Sequence, residues 1–176
     1  AISDGGVGVY LLFGGGNIVE GNYLGIDAEG MADRANEDID IYIYESADNV
    51  IGGTVAAARN VIAGSCAYAC VAIEFGDNAS DNLIQGNYVG TDITGLVDLG
   101  NGNAGIASNG GQIFGGLTTT PGAPPGNVIS GNGGSGIVVG GVGASSNVIQ
   151  GNLIGTNRAG TIALSNGTNG VTLLVG

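Results

Sequence analysis

The chain has 176 residues, 43% of them apolar, which is enough length and hydrophobicity to bury a core. Its fifteen carboxylates outnumber three arginines, and the absence of lysine and histidine leaves a net charge of −12. Nucleic-acid binding needs clustered basic side chains, and Ser-His-Asp or Cys-His catalysis needs histidine, so the composition argues against both.

Three segments of the chain are near-copies of one another. They read "NIVEGNYLGIDAEG", "NLIQGNYVGTDITG" and "NVIQGNLIGTNRAG", and they begin at Asn17, Asn82 and Asn147. The interval from the first copy to the second equals that from the second to the third, so the repeat contains no insertion or deletion. Shorter related motifs, "NVIGG" with "NVIAG" and "QIFGG" with "NVISG", divide this full repeat into two related half-units.

Each half-unit is predicted to contain three short strands. The first strand occurs, in chain order, as "VGVYLLF", "IDIYIYE", "VAIEF", "GIAS", "GIVVG" and "GVTLLVG". The second and third strands follow two polar series, which are Asn17, Asn49, Asn82, Gln112 and Asn147, then Asn22, Asn60, Asn87, Asn127 and Asn152. Short β-branched runs broken by glycine are typical of strands between tight bends. Only "TVAAAR" has a helical composition, and it is too short for a stable helix.

Three strands at a fixed period, joined by loops of variable length, predict an all-β parallel β-helix, or β-solenoid. About five coils are expected, beginning near Val7, Ile39, Val71, Gly105 and Gly136, with a sixth begun at Gly170. Residues 1–176 would then form a single β-helix domain. The asparagines of successive coils are expected to stack in ladders that satisfy buried amides, with Asn82 between Asn49 and Gln112.

The stretch "GNYVGTDITGLVDLGNGNAGI", followed by "NVISGN", resembles the right-handed parallel β-helix repeats of the pectate-lyase-like superfamily. The resemblance is to repeats of large secreted or surface-attached bacterial proteins, and it covers nearly the whole chain. It implies right-handed winding and an extracellular or cell-surface location. The superfamily contains polysaccharide lyases, hydrolases and epimerases as well as spacer or adhesive arrays, so the fold does not choose among them. We expect a structural or adhesive segment.

Strand alternation predicts an outward column on the first strands of the coils, with the isoleucines of those strands pointing inward. The column consists of Tyr10, Tyr42, Glu74, Ala107 and Val138, and Tyr44 lies beside it. Tyrosine faces stack on sugar rings and carboxylates accept hydroxyl hydrogen bonds, so Tyr10, Tyr42, Tyr44 and Glu74 are candidate carbohydrate-binding residues. The alternative is a half-exposed aromatic patch that covers the sheet or a partner subunit.

An enzymatic alternative uses two carboxylates of the same face. Asp40 and Glu74 are one coil apart, a separation compatible with acid and base roles in a polysaccharide hydrolase or lyase. Lyases of this fold also need a strong base and cations that neutralise a uronate. The net charge of −12 works against an anionic substrate, so a neutral glycan is easier to accommodate.

Acidic loops following the repeat motif form a candidate calcium site. Asp27, Asp33 and Asp38 lie in one loop, and Asp92 and Asp98 occupy the positions of the first two in the next full repeat. Calcium takes several oxygen ligands, but the spacing matches no EF-hand. Aspartates in glycine-rich turns also cap backbone amides, which is the favoured alternative.

"CAYAC" places Cys66 and Cys70 close together at a turn. Around a bulged turn they could form a disulfide, which would fit an oxidising compartment, and two free thiols are the alternative. With no histidine and no further cysteine, a zinc site is not expected.

The first residue is Ala1, and "GVTLLVG" supplies only one strand of a sixth coil. We therefore expect either a segment of a longer array or a homo-oligomer that pairs through its uncapped ends or its aromatic face. No apolar run approaches the roughly 20 residues that cross a bilayer, so membrane insertion is not expected. The N-terminus also lacks a signal-peptide pattern.

Overall fold

A computed structural model describes residues 1–65, 70–141 and 144–174. In this part of the chain the regular structure consists almost entirely of short strands. In chain order they are β1 (Val9–Gly15), β2 (Ile18–Val19), β3 (Tyr23–Leu24), β4 (Ile41–Ala47), β5 (Val50–Gly52), β6 (Val61–Ile62), β7 (Ile73–Phe75), β8 (Leu83–Gln85), β9 (Tyr88–Val89), β10 (Ile106–Ser108), β11 (Ile113–Gly115), β12 (Val128–Ile129), β13 (Ile137–Val139), β14 (Val148–Gln150), β15 (Leu153–Ile154) and β16 (Val171–Leu173).

Every strand pairs with the strand three places along the chain, and these strand pairs are parallel. The first sheet has the order β1-β4-β7-β10-β13-β16, the second β2-β5-β8-β11-β14 and the third β3-β6-β9-β12-β15. The chain is therefore a parallel β-helix of about five coils, as the sequence predicts. The first-sheet strands begin just after the predicted coil starts.

The lengths of two connections alternate from coil to coil. The connection after the third strand is longest after β3, β9 and β15, and the connection between the second and third strands is longest in the two intervening coils. The "TVAAAR" segment is one such connection and forms a single 3₁₀ turn, Ala56–Ala58. Because each type of loop returns every second coil, the strict sequence period is two coils.

The core is built of like residues stacked in register. Ile41, Ile73, Ile106 and Ile137 are successive partners in the first sheet, and all four are fully buried. Ile43 and Phe75 also point inward, as predicted. The Phe75 ring meets Phe114 edge to face, with centroids 6.4 Å apart. Each such buried side chain contributes about 1.5–3 kcal/mol of transfer free energy.

Both predicted asparagine ladders are present. The Asn82 side-chain oxygen accepts hydrogen bonds from the backbone and side chain of Asn49, at 2.9 and 2.7 Å. Asn82 in turn donates to Gln112 Oε1 at 3.0 and 3.1 Å, so it lies between the two residues that the sequence names. In the second ladder Asn87 stands between Asn60 and Asn127 in the same way. These amides are fully buried and paired, which is the condition for tolerating them inside the core.

A tight bend precedes every rung of the first ladder. The residue before the rung has a left-handed backbone conformation in each coil, and these residues are Gly16, Asp48, Asp81, Gly111 and Ser146. Glycine, aspartate and serine account for all five, and short polar or absent side chains tolerate this conformation best. The bend turns the chain from the first sheet into the second.

The structure also contains a third ladder, at the corner between the third sheet and the first. Asn101 donates to Asn132 at 2.7 Å, and Asn132 donates to Asn166 at 2.9 Å. In the second coil the rung is Ser65, whose backbone N–H donates to Asn101. Asn36, Asn101 and Asn166 recur once per full repeat, so the sequence carried a signal for this ladder that the motif alignment overlooked.

Candidate functional site

Three tyrosine rings form a contiguous group on the outer surface of the first sheet. Tyr10 of β1 and Tyr42 of β4 are in register, with ring centroids 5.1 Å apart. Tyr42 and Tyr44 lie on one strand with centroids 6.2 Å apart. Glu74 of β7 is the register partner of Tyr42 in the next coil. The four side chains therefore lie together on one face of the first sheet, as strand alternation predicts, and we call Tyr10, Tyr42, Tyr44 and Glu74 the tyrosine face.

Two features hold the rings of the tyrosine face in place. Parallel pairing sets Tyr42 directly against Tyr10 in a tilted arrangement, and aromatic pairs at this distance stabilise each other by about 0.5–1.5 kcal/mol. Gly76, in the next coil, lies beside Tyr42 and Tyr44. A methyl group there would lie 2.7 Å from Tyr44 Cδ2 and 2.9 Å from the Tyr42 hydroxyl. The glycine thus leaves the space that the two rings occupy.

The electrostatic environment of the tyrosine face is negative. Burial raises the pKa of the Tyr42 hydroxyl, and the charges of Glu74 and Asp77 raise it further. Glu45 raises the pKa of Tyr44, with smaller contributions from burial and from Asp77. The pKa of Glu74 is raised mainly by burial and then by Asp38. Desolvation dominates the shifts of Tyr42 and Glu74, neighbouring negative charge dominates that of Tyr44, and both effects disfavour the ionised form.

The three arginines lie elsewhere in the fold. Arg34 and Arg158 are in the loops that follow β3 and β15. The Arg59 guanidinium stacks on Tyr88 of the third sheet, 3.9 Å from the ring centroid, and Arg59 Nε donates to the Gly86 carbonyl. No arginine therefore compensates the carboxylates of the tyrosine face.

A polar groove begins where the tyrosine face ends. It is formed by the bends after β7, β10 and β13, and its volume is about 840 Å³. We call it the bend groove; its described lining includes Asp77, Asn78, Ser80, Asp81, Asn109 and Ser145. Gly76 also lines the groove, and a methyl group at Gly76 would touch Tyr42 and Tyr44. The groove and the tyrosine face are therefore continuous. The groove could not be predicted from the sequence, because its bends have different lengths and share no motif.

Phe13 is an exposed aromatic residue that strand alternation does not predict. Its side chain is 63% exposed, beside Leu12 at 44%. Strict alternation would place one of these neighbours inward. Phe13 has a left-handed backbone with φ of 58°, which breaks the alternation and leaves both side chains outside. They extend the apolar surface of the tyrosine face along β1.

Asp40 is not part of the outer surface. Its side chain is fully buried, whereas alternation along the strand predicts that it faces solvent with Tyr42. The reason is that β4 begins at Ile41, so Asp40 belongs to the corner before the strand. A side chain with no exposed surface cannot reach a polysaccharide, and the structure therefore does not support Asp40 and Glu74 as an acid–base pair.

The Asp40 carboxyl lies next to the third ladder. Asn36 Nδ2 donates to its Oδ1 at 2.6 Å, and its Oδ2 has no hydrogen-bond partner among the described residues. Burial raises the pKa of Asp40 to about 7, although the Asn36 hydrogen bond opposes the shift and Asp33 adds to it. In the fourth and fifth coils the same corner position is Gly105 or Gly136, where a methyl group would crowd Asn132 or Asn166. The ladder residue of the second coil is Ser65, which is smaller than asparagine, and the corner position of that coil is Asp40.

Two of the candidate calcium ligands, Asp27 and Asp92, each cap a turn of their own loop. Asp27 Oδ1 accepts the N–H groups of Met31 and Ala32, and the first of these bonds contributes most to lowering its pKa. Asp92 Oδ1 accepts the N–H groups of Leu96 and Val97. Burial opposes ionisation of Asp92, but these bonds and that of the Thr94 hydroxyl lower its pKa overall.

Asn157, the equivalent residue of the next full repeat, caps the same turn through the N–H groups of Thr161 and Ile162. An amide performs this role as well as a carboxylate does, so the series does not depend on charge. Asp33 and Asp98 lie over Gly64 and Gly131 of the next coils, and Asp38 is exposed at the adjacent corner. Within the described residues, no three His, Cys, Asp or Glu side chains converge on a common metal position.

The proposed disulfide involves one residue outside the described part of the chain. Cys66 lies in the undescribed segment 66–69, while Cys70 is described and buried. The pairing of Cys66 with Cys70 stays a prediction.

Among the residues described, none of the helical structure is of a length and hydrophobicity that could cross a bilayer. Comparison with known proteins gives no relative from which a function could be transferred. No family model, no curated protein and no solved structure matches this chain.

Proposed function

We propose that this chain is a structural β-helix segment that binds a glycan through the tyrosine face. The observation that carries the proposal is the contiguous group of three tyrosine rings on the outer surface of the first sheet, with Tyr42 5.1 Å from Tyr10 across the strands and 6.2 Å from Tyr44 along its own strand. Aromatic faces at such spacing suit successive sugar rings, and their low conformational entropy favours binding. The bend groove supplies amide, hydroxyl and carboxylate groups for the sugar hydroxyls.

The rest of the coil surface suits a spacer. The ladders and the stacked isoleucines give each coil the same cross-section. The solenoid therefore holds a surface site in a fixed position. On this proposal the protein is a repeat segment of the pectate-lyase-like type, placed outside the cell or at a bacterial surface. Catalysis is not part of the proposal, because Asp40 is inside the core and the described residues of the tyrosine face offer no second acid–base pair.

A glycan array followed by calorimetry tests the proposal. The array should identify at least one oligosaccharide that binds, and Tyr42→Ala should weaken its binding about three- to tenfold, the equivalent of the stacking energy of one ring. Ile18→Ala is the matched control, because Ile18 is 67% exposed on a strand of the second sheet. Product analysis of each bound oligosaccharide checks for cleavage. Absence of binding across the array, or equal binding by the two variants, would refute the proposal.

A further inference from the structure

The tyrosine face has an unusual combination of chemical groups. Three phenol rings are exposed or half-buried there. Three carboxylates lie close enough to raise the pKa of the Tyr42 or Tyr44 hydroxyl, and they are Glu74, Asp77 and Glu45. Arg34 and Arg158 lie in the loops after β3 and β15, Arg59 stacks on Tyr88 of the third sheet, and the chain has no lysine or histidine. The negative charge at this surface is therefore not neutralised by the protein itself.

Aromatic rings bordered by carboxylates are the arrangement that recognises an organic cation. The ring quadrupole attracts an ammonium group placed over its face, and a nearby carboxylate forms a charge-assisted hydrogen bond with the same group. A neutral sugar would leave the carboxylates uncompensated. A uronate polymer would be repelled by them, since its own charge has the same sign.

Carboxylates are also present beyond the tyrosine rings, in the bend groove. Asp77 acts on both Tyr42 and Tyr44, and it also lines the bend groove together with Asp81. Asn109 Nδ2 lies 3.5 Å from Asp77 Oδ1 across the groove. A ligand that runs from the tyrosine face into the groove thus passes Glu74, Asp77 and Asp81, with amides and hydroxyls in the same lining.

We propose that the ligand of the tyrosine face and bend groove is a polysaccharide of amino sugars with free, protonated amines. The inference rests on the proposed glycan-binding function and names its substrate class. The sugar rings stack on Tyr10, Tyr42 and Tyr44, while the ammonium groups pair with Glu74 and Asp77. N-acetylation removes the positive charge and with it the contribution of both carboxylates.

The test compares β-1,4-linked glucosamine oligomers with their N-acetylated counterparts by calorimetry, at a pH where the amines are protonated. The free-amine oligomer should bind at least about tenfold more tightly, which corresponds to about 1.4 kcal/mol and lies within the range of desolvated cation–π pairs. The difference should shrink as salt is added, because the partly exposed charges are screened. Glu74→Gln should remove most of the preference. Glu20→Gln, which changes the net charge equally at an exposed corner between β2 and β3, should leave it intact.

The outcomes separate this inference from the function on which it rests. If the N-acetylated oligomer binds equally well and Tyr42→Ala weakens both, glycan binding stands and the amino-sugar assignment is overturned. If polylysine binds as tightly as the oligomer and Tyr42→Ala has no effect, attraction is by charge alone and the assignment is also overturned. If no saccharide binds at all, the proposed function and the inference fall together.

Discussion

Asn36 Nδ2 donates a 2.6 Å hydrogen bond to Oδ1 of Asp40, and neither side chain has any exposed surface. The other described asparagine rungs of the third ladder, Asn101, Asn132 and Asn166, are amides that pair with one another. An amide satisfies its neighbours without a net charge, whereas the Asp40 carboxyl leaves Oδ2 without a described partner inside the corner. Ionisation of the Asp40 carboxyl in the second coil therefore destabilises the folded state.

Stability should consequently fall as the pH rises. The pKa of Asp40 is about 7 in the folded chain against an ordinary value of 3.8, so the folded state holds this proton more tightly. The stabilisation is complete below about pH 4 and is lost as the pH passes through about 7; about 1.4 kcal/mol per pKa unit gives an effect on the order of 4 kcal/mol. Asp40→Asn should remove this dependence and stabilise the chain at about pH 8. Urea unfolding across that range measures it, with the exposed Asp48→Asn as control. An unchanged pH profile in Asp40→Asn would contradict the assignment.

Removing a central rung of the second ladder should be costly. Asn87→Ala takes away the acceptor of the Asn60 side chain and the donor to the Ile51 carbonyl, both in buried surroundings. The free energy of unfolding should drop by about 2–4 kcal/mol, because each buried group left without a partner costs about 1–3 kcal/mol. Asn22→Ala removes a half-buried rung and should cost less than about 1 kcal/mol. Equal losses in chemical denaturation would show that burial of the ladder is not the cause.

A comparison of alanine substitutions at two glycines distinguishes the free-energy cost of backbone strain from that of contact between coils. Gly115 and Gly14 both have φ of 89°, but a methyl group on Gly115 would meet the Gln150 carbonyl and lie 2.6 Å from Asn152 Oδ1, whereas nothing lies within 4 Å of one on Gly14. Gly14→Ala should cost about 1–2 kcal/mol through strain alone. Gly115→Ala should cost more, because the next coil must move. Thermal unfolding of the two variants gives the difference directly, and similar melting temperatures would refute close contact between the coils.

The tyrosine face should be adjustable without unfolding the chain. Gly76→Ala introduces a methyl group against the Tyr42 hydroxyl and the ring edge of the half-exposed Tyr44, at a backbone conformation that any residue can adopt. We expect less than about 1 kcal/mol of destabilisation, a changed near-ultraviolet circular dichroism of the tyrosines, and weaker glycan binding. Gly6→Ala, where nothing lies within 4 Å, is the control for the substitution itself. Unaltered tyrosine signals would show that Gly76 does not set the ring positions.

Much of the architecture could be predicted from the sequence, because every coil of a solenoid repeats the same strands and the same contacts. The constant repeat interval, the inward isoleucines and the two asparagine ladders recur along the solenoid, so each position is specified several times over. The tyrosine face followed from strand alternation alone, since Tyr10 and Tyr42 lie inside β1 and β4. Asn36, Asn101 and Asn166 could have been found in the same way, as they keep the interval of the full repeat.

The remaining features depend on the corners, where no period applies. Whether Asp40 points out or in is decided by the residue at which β4 begins, and a shift by a single position reverses the direction of a side chain. The bend groove arises from three bends of unequal length that become neighbours only when the coils stack. Asp27 and Asp92 look like metal ligands in the sequence, but the fold directs their oxygens to the N–H groups of their own turns. Local periodicity determines the coil, while the direction of each corner is fixed only by the coils above and below it.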